Sequence, residues 1–213
     1  MNVKSRFLNV YALPSAVTAG ALDGAGAAVI DVLRATSVAA FAAASGVDSI
    51  IPLTDIDEAR YLKTVLEKEK PGSVLLGGER FGLPIDGFDL GNSPQHYTPE
   101  KVKGKTLIQT TTNGTVAVEA AKPAAKIILA SFLNAQTVVN VLQNEERIAI
   151  VCAGTNGVET EEDLLFAGCL VSRLLSLNSA WQQNETAIRV QQLWEERNPG
   201  EPLTETLRRS CGG

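Results

Sequence analysis

"QTTTNGTVAVEAA" spans Gln109–Ala121, and its reading decides the fold. Taken alone, Asn113-Gly114 signals a two-residue hairpin turn. The residues after it do not alternate as a second strand would. "TVAVEAA" (Thr115–Ala121) reads as a helix, and "KTLIQT" (Lys105–Thr110) before it reads as a strand. The Asn-Gly pair therefore marks a strand-to-helix junction, with Asn113 placed to cap the helix and Gly114 allowing a tight turn.

The same alternation extends in both directions. Upstream, "AAVID" (Ala27–Asp31), "SIIPL" (Ser49–Leu53) and "SVLLGG" (Ser73–Gly78) read as strands. Between them, "SVAAFAAASG" (Ser37–Gly46) and "DIDEARYLKTVLEKEK" (Asp55–Lys70) read as helices stopped by Gly46 and by Pro71-Gly72. Downstream come strands "KIILA" (Lys126–Ala130) and "RIAIVCAG" (Arg147–Gly154). The helices there are "NAQTVVNVLQNE" (Asn134–Glu145) and "EEDLLFAGCLVSRLLSL" (Glu161–Leu177). The remainder, through Trp181 and Trp194, reads as polar helix interrupted by "NPGEP" (Asn198–Pro202). Such alternation predicts an α/β fold with largely parallel sheets. The segment 79–104 is rich in glycine and proline and lacks periodicity, the mark of a functional loop. It divides the chain into an N-terminal α/β part, 1–104, and a C-terminal α/β part, 105–213.

Composition narrows the function. Apolar residues are 45% and charged residues 20% of the chain, an ordinary globular balance. A net charge of −5 argues against nucleic acid or an anionic membrane as partner. No apolar run reaches the roughly 18 residues of a membrane helix, and the N-terminus lacks a signal-peptide core. Cys152, Cys169 and Cys211 have no metal-site spacing and read as reduced thiols, which predicts a cytoplasmic protein. Ala39, Ala40, Ala42 and Ala43 permit close helix packing, compatible with a monomer core or with a homo-oligomer interface.

Parallel α/β sheets place ligands beyond the carboxyl ends of their strands. "DVLRATS" puts Asp31 at a strand end, Arg34 three residues on, and Thr36 or Ser37 at a helix start suited to anions. "GGER" supplies Glu79 beside Arg80. "IDGFDLGNSP" offers Asp86 and Asp89, acids suited to a hard cation such as magnesium. Thr110, Thr111, Thr112 and Thr115, with Asn113 and Gly114, read as a donor-rich cradle for an oxyanion. "SFLN" repeats that theme with Ser131 and Asn134. In "AGTNGVETEED", Thr160 and Asp163 have the spacing of a capping box, and Glu162 or Asp163 could instead face a metal.

In their order, "VIDVLRATS", "GGER", "GFDLGNSP", "TTTNGT", "SFLN" and "EEDLLFAG" resemble the 2-phosphosulfolactate phosphatase (ComB-like) family over about Val10–Gly168. The resemblance implies two associated βα parts with the active site in the crevice between them. It implies a Mg2+-dependent phosphatase that converts 2-phosphosulfolactate to sulfolactate and phosphate, in coenzyme M biosynthesis. Members continue past the region matching "RRSCGG", so the C-terminal part is expected to be shortened. On this reading Asp31 is nucleophile or general base, and Arg34, Glu79 and Arg80 complete the catalytic group. Thr36, Asn92, Ser93, Thr111, Thr112, Asn113, Gly114, Thr115, Ser131 and Asn134 contact a small anionic substrate. Asp86, Asp89, Glu162 and Asp163, with Glu79, compete as metal ligands. Two alternatives share the scaffold: a phosphatase for another small phosphorylated acid, and a non-catalytic binder of anionic metabolites.

Overall fold

The computed structural model describes residues 5–197 and 200–210. The "NPGEP" interruption lies partly outside these residues, and Cys211 wholly so. In chain order the elements are β1 (Arg6–Tyr11), β2 (Gly26–Ile30), α1 (Ala35–Ala44), β3 (Ser49–Pro52), α2 (Ile56–Glu69) and β4 (Val74–Gly78). After α3 (Pro99–Val102) follow β5 (Thr106–Thr110), α4 (Gly114–Ala121), β6 (Lys126–Ala130), α5 (Ala135–Leu142) and β7 (Arg147–Cys152). The chain ends with α6 (Glu161–Leu177), β8 (Trp181–Gln183), α7 (Glu185–Glu196) and α8 (Leu203–Arg209).

The strands form two parallel sheets. The larger has the order β6-β2-β7-β1-β8 and the smaller β3-β5-β4. Sheet membership does not follow the 104/105 division. β5 lies beyond that point yet pairs with β3 and β4, while β1 and β2 pair with the late strands β7, β8 and β6. The chain crosses between sheets twice, along α1 after β2 and along α4 after β5. Two strands escaped the sequence reading. β1 carries no alternation that marks it in the sequence, and β8, at Trp181, lies in the tail expected to be helical; it is three residues long, too short for periodicity to show.

Strand geometry explains the core. Successive side chains point to opposite faces of a sheet. Ala28 and Ile30 of β2 pack with Val138, Leu142, Phe166 and Leu170 on the α5–α6 side. Their neighbours Ala27 and Val29 pack with Ala117 and Ala121 of α4. Every residue of β2 is buried, as a central parallel strand covered on both faces requires. In the smaller sheet, Leu107 faces Val38 and Ala42 of α1, while Ile108 faces Ala59 of α2. Of the small α1 residues, Ala39 and Ala42 are buried within this fold and Ala43 is exposed.

The middle of the irregular 79–104 segment is tied into the smaller sheet. Leu90 runs beside β4, with Gly78 N–H donating to its carbonyl at 3.1 Å. Tyr97 is fully buried under the smaller sheet and donates its hydroxyl to the Gly91 carbonyl at 2.8 Å. Cys152 and Cys169 are free thiols buried in the larger part. Among the described residues no helix is long and apolar enough to cross a membrane.

Candidate active site

The carboxyl ends of β2, β4, β5 and β7 converge on one cavity of about 300 Å³. The β2 end supplies Asp31, Leu33 and Arg34. The β4 end supplies Glu79, Phe81 and Gly82. Thr112 and Asn113 come from the β5 end, Thr155 and Asn156 from the β7 end, and Asn92 from the 79–104 segment. Both sheets therefore build the site.

Asp31 is the residue around which the two crossings meet. Its Oδ1 accepts from Ala35 N–H at 3.0 Å, so Asp31, rather than Thr36 or Ser37, caps α1. Thr36 instead donates its hydroxyl to the Asp31 carbonyl at 2.7 Å. Gly114, at the start of α4, packs against the same carboxylate, and its backbone N–H favours the charged form. No side chain fits at Gly114: a Cβ there would lie 2.5 Å from Ala35 Cβ and 2.8 Å from Asp31 Oδ2. Two helix N-termini thus point at one buried carboxylate, which favours its charged form. Burial and the nearby charges of Glu79 and Glu162 oppose this more strongly and push Asp31 up to about 6.

Glu79 fastens the β4 end to the β5 end. Its Oε1 accepts from Thr112 N–H at 2.7 Å, and its Oε2 accepts from Gly82 N–H at 2.6 Å and from the Thr112 hydroxyl at 3.1 Å. Thr112 Oγ1 also accepts from Phe81 N–H at 2.9 Å. Phe81, 80% exposed, has a left-handed backbone with φ of 51° at the cavity mouth.

The threonine run is mostly internal wiring. Thr111 Oγ1 caps α4 by accepting from Thr115 N–H at 3.2 Å, and the Thr115 hydroxyl donates to the Thr111 carbonyl at 2.6 Å. Asn113 makes no capping bond. Of the expected cradle, Thr112 and Asn113 line the cavity, while Thr111 and Thr115 are buried beside it. Within Thr110–Gly114, Thr111 caps α4, Thr112 staples Glu79, the buried Thr110 hydroxyl has no partner among the described residues, and Gly114 admits Asp31.

Asp163 does not form a capping box with Thr160. The Thr160 hydroxyl has no partner and makes no cap bond. Asp163 Oδ1 accepts from Val32 N–H at 2.8 Å and its Oδ2 from Gly154 N–H at 3.0 Å. It ties the loop after β2 to the loop after β7. Burial and the charge of Asp31 push Asp163 up to about 8. Glu162, 2% exposed, has a buried Oε2 with no partner.

The remaining candidates lie elsewhere. Arg80 donates to the Thr54 and Glu79 carbonyls and does not line the cavity. Asp89 Oδ2 accepts from Lys63 and from Leu76 N–H, both at 2.7 Å, so it is held on the α2 side of the smaller sheet. Asp86 is exposed, and its carbonyl accepts from Arg60 at 2.9 Å. Ser131 and Asn134 close a reciprocal capping box, which accounts for "SFLN" without a ligand. Ser93 begins the short 3-10 turn Pro94–His96, while its neighbour Asn92 lines the cavity. Leu33, Phe81, Gly82, Thr155 and Asn156 line it too and were not singled out from sequence. Asn156-Gly157 carried a signal, since it is an Asn-Gly pair between turn residues.

Among the described residues no three acids, histidines or cysteines converge as a ready-made metal cage. Magnesium seldom needs one, because it keeps several waters and takes one or two carboxylates plus substrate oxygens. Asp31 and Glu79 on the wall, with the unpaired Glu162 oxygen close enough to act on Asp31, suit that hard cation. Among the described residues the exposed Arg34 side chain makes no hydrogen bond or ion pair and lines the same cavity.

Fold and cavity together define an α/β protein with an acid-lined cavity at the carboxyl ends of its strands. The 2-phosphosulpholactate phosphatase family model matches residues 11–213. A probable 2-phosphosulfolactate phosphatase of Caldicellulosiruptor saccharolyticus is 48% identical over 161 residues, covering 73% of this chain and 64% of the relative. One from Thermotoga maritima is 50% identical over 148 residues, covering 70% of this chain and 62% of the relative. A third, from Caldanaerobacter subterraneus subsp. tengcongensis, is 41% identical over 172 residues, or 80% and 70%. The chain spans less than two thirds of the length of the first two relatives. It belongs to the 2-phosphosulfolactate phosphatase family.

Proposed function

We propose that this cavity hydrolyses 2-phosphosulfolactate to sulfolactate and phosphate with magnesium. The observation that carries the reading is a buried Asp31 and an unpaired Arg34 lining one crevice. The family membership and the relatives' names support the substrate.

Arg34 is placed to take phosphoryl oxygens by paired N–H donation and to neutralise charge as the phosphoryl group transfers. Asp31, pushed up to about 6, suits the role of base at neutral pH. It takes the proton of the attacking water, whose oxygen bonds to phosphorus as the bond to the ester oxygen breaks; the departing alkoxide takes a proton from solvent to give the hydroxyl of sulfolactate, and Asp31 returns its proton to solvent. Glu79 and the unpaired Glu162 oxygen would hold magnesium. When bound, the metal supplies charge neutralisation at the phosphoryl oxygens. Thr112 orients Glu79, and Asp163 fixes the loops that carry Asp31 and Asn156.

The test is phosphate release from 2-phosphosulfolactate, with magnesium and with chelator, beside other phosphorylated hydroxy acids. Magnesium-dependent release, greatest with 2-phosphosulfolactate, is expected. Greater release from another acid would replace the substrate, and ligand binding without release from any would leave a non-catalytic binder.

A further inference from the structure

The chain contains two Asn-Gly pairs, and they meet. Asn113-Gly114 starts α4, whereas Asn156-Gly157 is a true hairpin turn: Thr155 N–H donates to the Val158 carbonyl at 2.9 Å and Val158 N–H returns the bond at 3.0 Å. Both central residues are left-handed, with φ of 52° at Asn156 and 77° at Gly157, as a type I′ turn requires. Asn113 Oδ1 accepts from Asn156 N–H at 3.1 Å, fastening the turn to the β5 end. Among the described residues the side-chain amide of Asn156 and the hydroxyl of Thr155 make no hydrogen bond, and both residues line the cavity.

The cavity lining mixes charged and neutral groups. Asp31 and Glu79 carry the acids, and Arg34 is the unpaired cation among the described lining residues. Asn92, Asn113, Thr155 and Asn156 bring neutral donors and no charge. A substrate with a phosphoryl group and a second oxyanion finds one unpaired arginine in this lining, not two. On the phosphatase reading, the phosphoryl group takes Arg34 and the acid side. The second oxyanion must then take hydrogen bonds from neutral groups, which a fully ionised sulfonate or carboxylate accepts.

We infer that Asn156, held by Asn113 and flanked by Thr155, is a specificity residue that binds the non-transferred oxyanion of the substrate. This rests on the proposed phosphatase reading for the identity of the oxyanion, but binding tests it without turnover. The probes are sulfolactate, lactate, isethionate and inorganic phosphate, titrated calorimetrically into wild type and Asn156→Gly. Glycine keeps the left-handed backbone and removes the amide. The expected result is at least a tenfold loss of sulfolactate affinity in Asn156→Gly, with phosphate affinity unchanged and the melting temperature close to wild type. Asn156→Asp, which puts a negative charge there, weakens sulfolactate further. A parallel loss with isethionate identifies the sulfonate as the bound group, and a parallel loss with lactate identifies the carboxylate. Equal sulfolactate affinity in both proteins, a matching fall in phosphate affinity, or no sulfolactate binding by wild type overturns the inference. Asn156-dependent sulfolactate binding without phosphate release from 2-phosphosulfolactate keeps this subsite and sinks the hydrolase reading instead.

Discussion

Gly114 and Asp31 touch across the boundary between the two sheets. The Gly114 backbone packs against the Asp31 carboxylate, and a Cβ on Gly114 would lie 2.8 Å from Asp31 Oδ2. Asp31 follows β2, an interior strand of the larger sheet, and Gly114 lies four residues past β5, the central strand of the smaller one. The contact brings two parallel sheets into one site.

Gly114→Ala is expected to push α1 and α4 apart, because its Cβ would also meet Ala35 Cβ at 2.5 Å. The cost in stability is about 1–3 kcal/mol, typical of overpacking. Phosphate release should fall at least tenfold, since Asp31 loses its register with Arg34. Chemical denaturation and turnover measured together check this, and a fully active, fully stable variant would show that the contact is slack.

Asp163 sets a pH dependence of stability. Its folded-state value is raised, from 3.8 to about 8, and that of Asp31 is raised to about 6. The folded state therefore holds protons that the unfolded chain releases, so this contribution is full below about pH 4 and fades as pH climbs through 6 and 8. Melting temperature in chelator should drop between pH 5 and 8.5. Asp163→Asn lowers the whole curve, because Val32 N–H or Gly154 N–H loses its acceptor, but flattens its slope. An unchanged slope would remove Asp163 as the source.

Arg34 and Arg80 should separate cleanly. Arg34 is exposed and makes no hydrogen bond or ion pair among the described residues, so Arg34→Ala should cost about 100-fold in turnover and leave the melting temperature nearly unmoved. Arg80 joins the Thr54 and Glu79 carbonyls, so Arg80→Ala should lower stability and spare most turnover of the folded fraction. The reverse pattern would exchange their roles.

The acids should separate as well. Asp89→Ala leaves Leu76 N–H and Lys63 without their acceptor and should cost about 1–3 kcal/mol, with the magnesium requirement unchanged. Glu162→Gln should raise the magnesium needed for half-maximal turnover and shrink the rise in melting temperature that magnesium gives. A magnesium requirement that follows Asp89 rather than Glu162 would restore the 86–89 pair as the metal site.

Much of this was legible along the chain. Strand–helix alternation revealed the α/β class, and the residues after β2, β4 and β5 marked the cavity wall. What was illegible depends on long-range pairing. Thr160 and Asp163 have capping-box spacing, but Asp163 finds Val32, 131 residues away, and Gly154 before it can serve its own helix. Asp86 and Asp89 look like cation ligands in a loop, yet α2 packs close enough for Lys63 to claim Asp89. The threonine run looked like a cradle because spacing cannot reveal that Glu79 occupies Thr112. Asn156 was readable as a turn but not as a wall, since its partner Asn113 lies 43 residues earlier.

The first measurement is phosphate release from 2-phosphosulfolactate by wild type and by Asp31→Asn, each with saturating magnesium. If Asp31 is the base, wild type releases phosphate and the variant falls by about 100- to 10,000-fold while staying folded. A variant that turns over near the wild-type rate would contradict the central role of Asp31 and move the chemistry to another residue of the cavity.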